Sequence, residues 1–319
     1  MAIPVTHISF LLLLLLLLHY HTTHATNPWD KFNLSPASRT LTPTSLYNNN
    51  NNNNNTNTTP TPTPFSYPIH LQGVGADVVF DFGLEVGGYT TVHFGKVTGS
   101  NVSVTFYWSE SSLFVTTGDS SNGGGTPDGG LNSGLLSGDK SSWTAQGGTL
   151  RGGFRYLRVV VNGGSDGGGS GDAAAVTITG VSLYFTASPH VKNLRDWKSH
   201  FYSSDNLLNQ IWYACGYTVQ LCSISSTHGR QWPPPTTPGW ANNATCGEGV
   251  SVLVDGAKRD RTVWPGDMGV STATAFATTG DTYSSRMSLE ILFAHQSPDG
   301  MLPYAGPPVS FYDMSDTYV

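Results

Sequence analysis

Thirteen consecutive residues of this chain hold an unusually dense group of ionisable side chains. Segment 255–267 reads DGAKRDRTVWPGD and contains three carboxylates, two arginines, one lysine and one tryptophan. Only 11% of the 319 residues are Asp, Glu, Lys or Arg, compared with about a quarter in an ordinary soluble domain. A carboxylate beside an arginine stays ionised, whereas one pressed against an indole is desolvated and can hold a proton near neutral pH. The segment is therefore a candidate site for binding hydroxyl groups or for transferring a proton.

Two interpretations of this segment follow from its residue types. In the first, Trp264 offers a flat apolar face to a sugar ring, and three carboxylates accept hydrogen bonds from the sugar hydroxyls: Asp255, Asp260 and Asp267. In the second, Arg259 and Arg261 form salt bridges across a surface loop, and Asp267 caps the next helix, because Asp is a preferred N-cap residue. The residue types alone favour neither interpretation.

The spacing within the segment resembles a known active-site motif. The pattern Asp-x3-Arg-acid-x3-Trp-x-Gly-Asp is similar to that of the α-L-rhamnosidases, which are inverting glycoside hydrolases built as a β-sandwich followed by an (α/α)6 barrel. The family motif usually reads Asp-Cys-Pro-x-Arg-Glu and continues to Gly-Trp-x-Gly-Asp, and the variant KRDRTVWPGD resembles a divergent subgroup. The phrases FDFGLEVGGYTTVHF and GFRYLRV resemble the sandwich, and FYSSDNLLNQIWYACGYTVQLC resembles the first barrel helix. The resemblance thus covers the chain from about residue 65 to its end.

The resemblance assigns a role to each matching residue. It implies that Asp260 is the general acid, although Asp260 is one methylene shorter than the family's glutamate. It implies that four further residues contact the sugar: Asp255, Arg259, Trp264 and Asp267. An inverting glycosidase also needs a carboxylate base about 6.5–9.5 Å from the acid, which the family places on a later helix. The 117 residues from Ser203 onward are fewer than the roughly 170 that twelve helices require, so we expect the base to lie beyond Val319.

Hydrophobic periodicity independently predicts a β-rich region followed by helices. Between residues 65 and 189 the segments DVVFDF, YTTVHF, VSVTFYW, FRYLRVVV and AVTITGVSLYF alternate apolar and polar residues, as in an antiparallel sandwich. From residue 190 the period becomes helical, with Ser204 as the predicted N-cap of a first helix and further helices over 267–279 and 283–296. The predicted apolar stripe of the first helix is Leu208, Ile211, Trp212, Cys215, Val219 and Cys222.

The N-terminal region has the features of a secreted protein. Residues 1–25 contain an apolar core over 8–18, which is too short to span a bilayer and is typical of a cleaved signal peptide. Residues 26–64 are rich in Asn, Thr and Pro and are predicted to be a disordered linker. Four sequons predict N-glycosylation: Asn54, Asn57, Asn101 and Asn243. We therefore predict an extracellular, cell-wall or vacuolar protein with no membrane anchor after cleavage.

Charge, histidine and cysteine usage limit the partners. The net charge of −6 and the pI near 5.9 give no basic surface for nucleic acid. The histidines have no metal-binding spacing, and the two Gly-rich tracts lack a phosphate-binding lysine, so we predict no metal and no cofactor. Cys215 and Cys222 lie too far apart on one predicted helix to be bridged, so either Cys246 takes part in a disulfide or all three thiols are free.

Three hypotheses remain from the sequence. The first is a secreted glycosidase that hydrolyses a terminal α-linked deoxysugar with inversion. The second is a noncatalytic carbohydrate-binding protein. The third is an incomplete product that does not fold stably, because half of a helical barrel exposes apolar helix faces.

Overall fold

The structure, a computed structural model, describes residues 27–47, 62–115, 128–138, 141–163, 174–236 and 239–312. The predicted signal peptide and the sequons at Asn54 and Asn57 lie outside these ranges. Asn101 and Asn243 are both exposed, as a glycosylation site must be.

Short and long strands build one twisted, hydrogen-bonded sheet. Its ten strands among the described residues are β1 (Thr40–Leu41), β2 (Ser45–Tyr47), β3 (Pro62–Thr63), β4 (Ile69–Gln72), β5 (Asp77–Thr98), β6 (Ser103–Ser109), β7 (Leu131–Asn132), β8 (Ser142–Thr144), β9 (Arg151–Asn162) and β10 (Ala175–Phe185). The main order is β1-β10-β5-β9-β6-β7, and every pairing in this sheet is antiparallel.

Strand β5 joins the two layers of this sheet into a sandwich-like domain. Its first part, from residue 77, pairs with β9 and β2, whereas its second part, from residue 88, pairs with β10 and β8. The sequence predicted two strands here, and the structure shows a single strand of 22 residues. Gly87 and Gly88 allow the change of layer, because a Cβ at either position would lie within 2 Å of a neighbouring carbonyl oxygen.

The core of the sandwich follows the alternation that the sequence predicted. On β6, Val104, Phe106 and Trp108 have no exposed surface, and Val102 just before the strand is 1% exposed. These side chains pack against buried residues of β5, β9 and β10: Phe80, Phe94, Phe154, Leu157, Ile178 and Phe185. Burial of apolar surface on this scale is the dominant stabilising contribution to such a fold.

Part of the predicted disordered linker is ordered. Residues 30–32 form a 3-10 helix, and β1, β2 and β3 lie within 26–64. The Phe32 ring is buried, and the Arg39 guanidinium donates hydrogen bonds to four carbonyl groups: those of Phe185, Ala187, Ser188 and Val191. The polar composition concealed these anchors, because one buried ring and one arginine change average hydrophobicity little.

Three long helices follow the sandwich, as predicted. They are α1 (Asn206–Cys222), α2 (Pro265–Ala277) and α3 (Tyr283–Ala294), and two short strands, β11 (Ser223–Ile224) and β12 (Val252–Leu253), lie between α1 and α2. Asp205 caps α1, because its carboxylate accepts the N–H groups of Leu207 and Leu208; the predicted cap at Ser204 is wrong by one residue. The described residues do not form a closed helical barrel.

The predicted apolar stripe of α1 is correct for Cys222, which is buried, and for Trp212 and Val219, which pack against the core, but it is wrong for its other three residues. Leu208 and Ile211 are each 50% exposed, and Cys215 is exposed as well. The face that packs inward instead carries Asn209, Tyr213, Gly216, Tyr217, Gln220, Leu221 and Cys222. Aromatic contacts explain the rotation of the helix, because the Tyr213 ring stacks on both Phe32 and Trp197.

Candidate functional site

The motif segment forms a closed loop between β12 and α2, which we call the motif loop (residues 255–267). At its start the Asp255 N–H donates to the Thr262 carbonyl oxygen over 3.1 Å, and the Thr262 N–H donates to the Asp255 Oδ1 over 3.1 Å. These two hydrogen bonds hold the ends of the eight-residue turn together. They also fix the direction of the Asp255 carboxyl group.

Arg261 is the internal support of the loop. It is 2% exposed, and its guanidinium donates to the carbonyl oxygens of His228 (2.9 Å) and Ala257. Burial lowers the pKa of Arg261 to about 10. The surface salt bridge considered for Arg261 is therefore wrong, since this side chain binds backbone carbonyls in the interior.

Asp260 and Arg261 both adopt left-handed backbone conformations, with φ of 57° and 48°. For residues other than glycine such conformations cost of order 1–3 kcal/mol each and persist only where the surroundings impose them. The buried contacts of Arg261 supply that constraint. The loop thus holds Asp260 in a conformation that it would rarely adopt in a free chain.

The motif loop docks on β9 through two adjacent glycines. A Cβ on Gly152 would lie 1.6 Å from the Ala257 carbonyl oxygen, and one on Gly153 would lie 2.4 Å from the Glu85 Oε1. A side chain at position 152 would displace the loop backbone, whereas one at position 153 would displace the Glu85 carboxyl group, so Gly152 is the residue that allows the loop backbone to approach the sheet. The pair stands in the sequence immediately before FRYLRV, and sequence reasoning did not recognise this role.

The three carboxylates of the loop lie within electrostatic reach of one another. Desolvation, with smaller contributions from the charges of Asp260 and Asp267, raises the pKa of Asp255 to about 8. Burial also raises the pKa of Asp267, in the first turn of α2, with a smaller contribution from Asp260. At neutral pH the Asp255 carboxyl is therefore mostly protonated and can donate a proton.

Asp260 pairs with its sequence neighbour. The Arg259 Nη2 lies 3.2 Å from the Asp260 Oδ2, and the Asp260 side chain is 13% exposed, whereas that of Arg259 is 61% exposed. The half-buried Asp260 carboxylate is thus engaged by an exposed guanidinium.

Trp264 begins a run of neighbouring aromatic rings. Its ring centroid lies 5.8 Å from that of Tyr304, the Tyr304 ring lies 5.8 Å from Phe311, and the Phe311 ring lies 5.7 Å from Trp232. Trp232 is 39% exposed. Sequence reasoning singled out only Trp264, because the other rings lie in proline-rich or irregular segments far from the motif.

A buried ion pair fixes the segment that carries Trp232. The Arg230 Nη2 lies 2.6 Å from the Asp128 Oδ1, and both side chains are at most 2% exposed. The Arg151 guanidinium lies 4.0 Å from the Trp240 ring and 4.6 Å from the Trp108 ring. These contacts attach residues 230–240 to the sandwich.

An open cavity of about 360 Å³ lies between the motif loop and the sandwich, and we call it the interdomain cavity. Asp255 and Arg259 belong to its wall, whereas Asp260, Trp264 and Asp267 do not. The complete lining is Glu85, Glu110, Thr218, Leu221, Cys222, Asp255, Gly256, Ala257, Lys258 and Arg259. Two carboxylates from the sandwich thus share a cavity with two of the predicted sugar-binding residues, which the sequence did not indicate.

The three cysteines form no disulfide. Cys215, Cys222 and Cys246 are all free, and burial raises the pKa of Cys222 and of Cys246 to about 12. Within the described ranges, no group of three His, Cys, Asp or Glu side chains is arranged to hold a metal ion. No described helix has both the length and the apolar character needed to cross a membrane.

The architecture is similar to that of solved rhamnosidases. A rhamnosidase from Klebsiella oxytoca with rhamnose bound superposes with a TM-score of 0.60 and 17% identity, over 90% of this chain and 50% of that one. A rhamnosidase of Bacillus sp. GL1 gives a TM-score of 0.48 and 19% identity over 77% of this chain and 21% of that one. An α-L-rhamnosidase from Dictyoglumus thermophilum gives a TM-score of 0.44 and 15% identity, over 81% of this chain and 26% of that one.

These similarities define a class of fold. The chain has a sandwich-like β-domain followed by helices, and it shares this fold with the Klebsiella oxytoca protein, of whose length it spans half. No protein-family model matches the sequence. No curated protein matches it either.

Proposed function

We propose that this protein is a glycoside hydrolase similar to the α-L-rhamnosidases, which removes a terminal α-linked deoxysugar with inversion. The observation that carries the proposal is the motif loop: a segment with the family's spacing of Asp, Arg, acid, Trp and Asp is held by the buried Arg261 and by paired hydrogen bonds, on a fold shared with a rhamnosidase. A loop with three interacting carboxylates and an aromatic ring has the chemistry for binding and protonating a glycoside.

Two carboxyl groups are candidates for the proton donor in this proposal. Asp260 occupies the position of the family's acid, and its backbone is held in an unusual conformation. Asp255 has the raised pKa of about 8 that a general acid needs near neutral pH. We propose that Asp260 protonates the leaving oxygen, while Asp255, Arg259, Trp264 and Asp267 bind the sugar.

The helices support the proposal of a larger helical domain. In this proposal the sandwich extends from about residue 65 to residue 189, and the helical domain begins at residue 190. Each helix exposes large apolar side chains, between 46% and 75% exposed: Leu207, Leu208, Ile211, Val270, Phe276, Leu289 and Phe293. Exposed apolar faces of this kind usually pack on further structure. We propose an (α/α)6-type arrangement around the motif loop, in which a later helix supplies the carboxylate base.

Secretion is a further part of the proposal. The apolar segment over 8–18 is typical of a signal peptide, and the sequons at Asn101 and Asn243 are exposed. We propose that the mature protein is glycosylated and extracellular, with a rhamnose-containing glycan or glycoside as its substrate.

The test is an assay of the product of the full transcript on p-nitrophenyl α-L-rhamnoside. We expect release of p-nitrophenol by the wild type, a loss of about 100-fold or more in kcat for Asp260→Asn, and unchanged kcat for the control Asp299→Asn, which alters an exposed turn. Activity that survives in Asp260→Asn but disappears in Asp255→Asn would move the acid role to Asp255. No release by a folded wild type would reject rhamnoside hydrolysis.

A noncatalytic sugar-binding protein is the second candidate. The ion pair between Arg259 and Asp260 favours it, because the carboxylate proposed as the acid is already engaged by a guanidinium. Binding of L-rhamnose without turnover of any aryl rhamnoside would support this candidate over the enzyme.

A further inference from the structure

The interdomain cavity presents a carboxylate that none of the described residues binds directly. Glu85 lies on β5 and faces the cavity, and no described residue forms a hydrogen bond or ion pair with its carboxyl group. Its backbone carbonyl is used structurally, because the Tyr217 hydroxyl of α1 donates to it over 2.7 Å. The position of the Glu85 backbone is thus fixed while its carboxyl group remains available.

The surroundings of Glu85 oppose its ionisation. Burial raises the pKa of Glu85, the neighbouring Glu110 raises it further, and Lys258 acts in the opposite direction. Burying a polar group without a hydrogen bond costs free energy. Glu85 is half-buried, and a carboxyl group with a raised pKa that faces a cavity is a candidate for contact with a ligand.

Glu110, the second glutamate of the cavity wall, differs from Glu85 in having an ion-pair partner in the described part of the chain. The Glu110 Oε2 lies 3.1 Å from the Lys258 Nζ, with the lysine 9% exposed and the glutamate 43% exposed. This ion pair joins the sandwich to the motif loop. Glu110 is therefore held by an ion pair, whereas among the described residues Glu85 has no side chain within bonding distance of its carboxyl group and the more distant charge of Lys258 acts on it.

Gly153 provides the space for the Glu85 carboxyl group. A Cβ at Gly153 would lie 2.4 Å from the Glu85 Oε1 and 3.3 Å from the Lys258 Cβ. Any larger residue would displace the carboxyl group or the loop. The Gly-Gly pair of β9 thus has two effects, since Gly152 allows the loop to dock and Gly153 leaves room for Glu85.

We propose that Glu85 is a ligand-binding residue contributed by the sandwich, and that the interdomain cavity holds one polyhydroxylated ring between Glu85 and the motif residues Asp255 and Arg259. Sugar hydroxyls both donate and accept hydrogen bonds, so they suit a wall that combines carboxyl groups with a guanidinium. A cavity of about 360 Å³ falls within the range of small-ligand sites. This inference rests on the proposed function and adds a second element to the site, from the other domain.

The test compares Glu85→Gln with the matched control Glu290→Gln, whose glutamate lies on the exposed surface of α3. Binding of L-rhamnose to each purified protein is measured by titration calorimetry, and folding is checked by thermal melting at pH 7. We expect Glu85→Gln to weaken binding at least tenfold without lowering Tm, because the amide removes an unpaired carboxyl group. Glu290→Gln is expected to bind like the wild type.

The possible outcomes separate this inference from the proposed function. Wild-type affinity in Glu85→Gln would overturn the role of Glu85 while leaving the proposed function intact. A lower Tm with unchanged affinity would identify Glu85 as structural. If Glu85→Gln does not fold, Glu85→Asp is used in its place. This variant keeps the carboxyl group but withdraws it by one methylene, and we expect the same loss of affinity. Absence of L-rhamnose binding by a wild type that still releases p-nitrophenol from the aryl rhamnoside would overturn the cavity as the sugar site and leave the proposed function intact.

Discussion

Replacing Gly152 with alanine tests whether the motif loop is held on the sandwich by close backbone contact. The added Cβ would lie 1.6 Å from the Ala257 carbonyl oxygen and 2.4 Å from the Arg261 Nη1. Overpacking of a tight interior costs about 1–3 kcal/mol, and the upper end applies because a backbone carbonyl cannot rotate away. At about 2–4 °C per kcal/mol for a domain of this size, the expected fall in Tm is about 6–12 °C.

Differential scanning calorimetry measures this shift, and Gly269→Ala is the matched control. Gly269 lies within α2, and a Cβ there would meet no atom within 4 Å. Because glycine in a helix is less stable than alanine by roughly 0.5–1 kcal/mol, the control is expected to melt at or slightly above the wild-type temperature. Melting of Gly152→Ala within about 2 °C of the wild type would refute the close contact between β9 and the motif loop.

Two further predictions concern pH and the helical region. Since the pKa of Asp255 is raised to about 8, its contribution to stability is fully present below about pH 4 and is lost as pH rises towards 8. Asp255→Asn should therefore flatten the plot of Tm against pH between pH 4 and pH 8. An unchanged plot would contradict the raised pKa of Asp255. Asp281 accepts hydrogen bonds from the Ser284 N–H and hydroxyl and lies 3.2 Å from the His190 Nε2, and its pKa is lowered to about 2. The contribution of Asp281 to the free energy of unfolding is present above about pH 4 and is lost as pH falls towards 2. Asp281→Ala should therefore lower the free energy of unfolding by about 1–3 kcal/mol, as measured by urea unfolding at pH 7. A urea midpoint equal to that of the wild type would show that these hydrogen bonds are not stabilising.

The strands and helices with a regular hydrophobic period were predictable from the sequence. The face that each of them buries was less predictable. Alternation along VSVTFYW correctly placed Phe106 and Trp108 in the core, because strand geometry sends successive side chains to opposite faces. Half of the apolar stripe predicted for α1 was wrong, because periodicity finds an apolar face but not what packs on it. Leu208 and Ile211 are exposed, while Tyr213 and Gln220 are buried.

The candidate site divides in the same way. Residue types and spacing identified the motif loop with Asp255, Asp260 and Trp264, since that pattern is local in the chain. Its support was not visible, because Gly152 and Glu85 approach it from strands more than 100 residues earlier. No local pattern reports such a contact.

The sequence by itself determined the strand-rich and helical regions, the charge, and the thirteen residues in which chemistry is concentrated. Only the tertiary structure decided that Arg261 is internal, that the Asp255 carboxyl is desolvated, and that the sandwich contributes Glu85 to a cavity beside the loop. The physical reason is that residue types and local spacing are properties of neighbours along the chain. Burial, desolvation and cavity walls arise from segments that meet only when the chain folds.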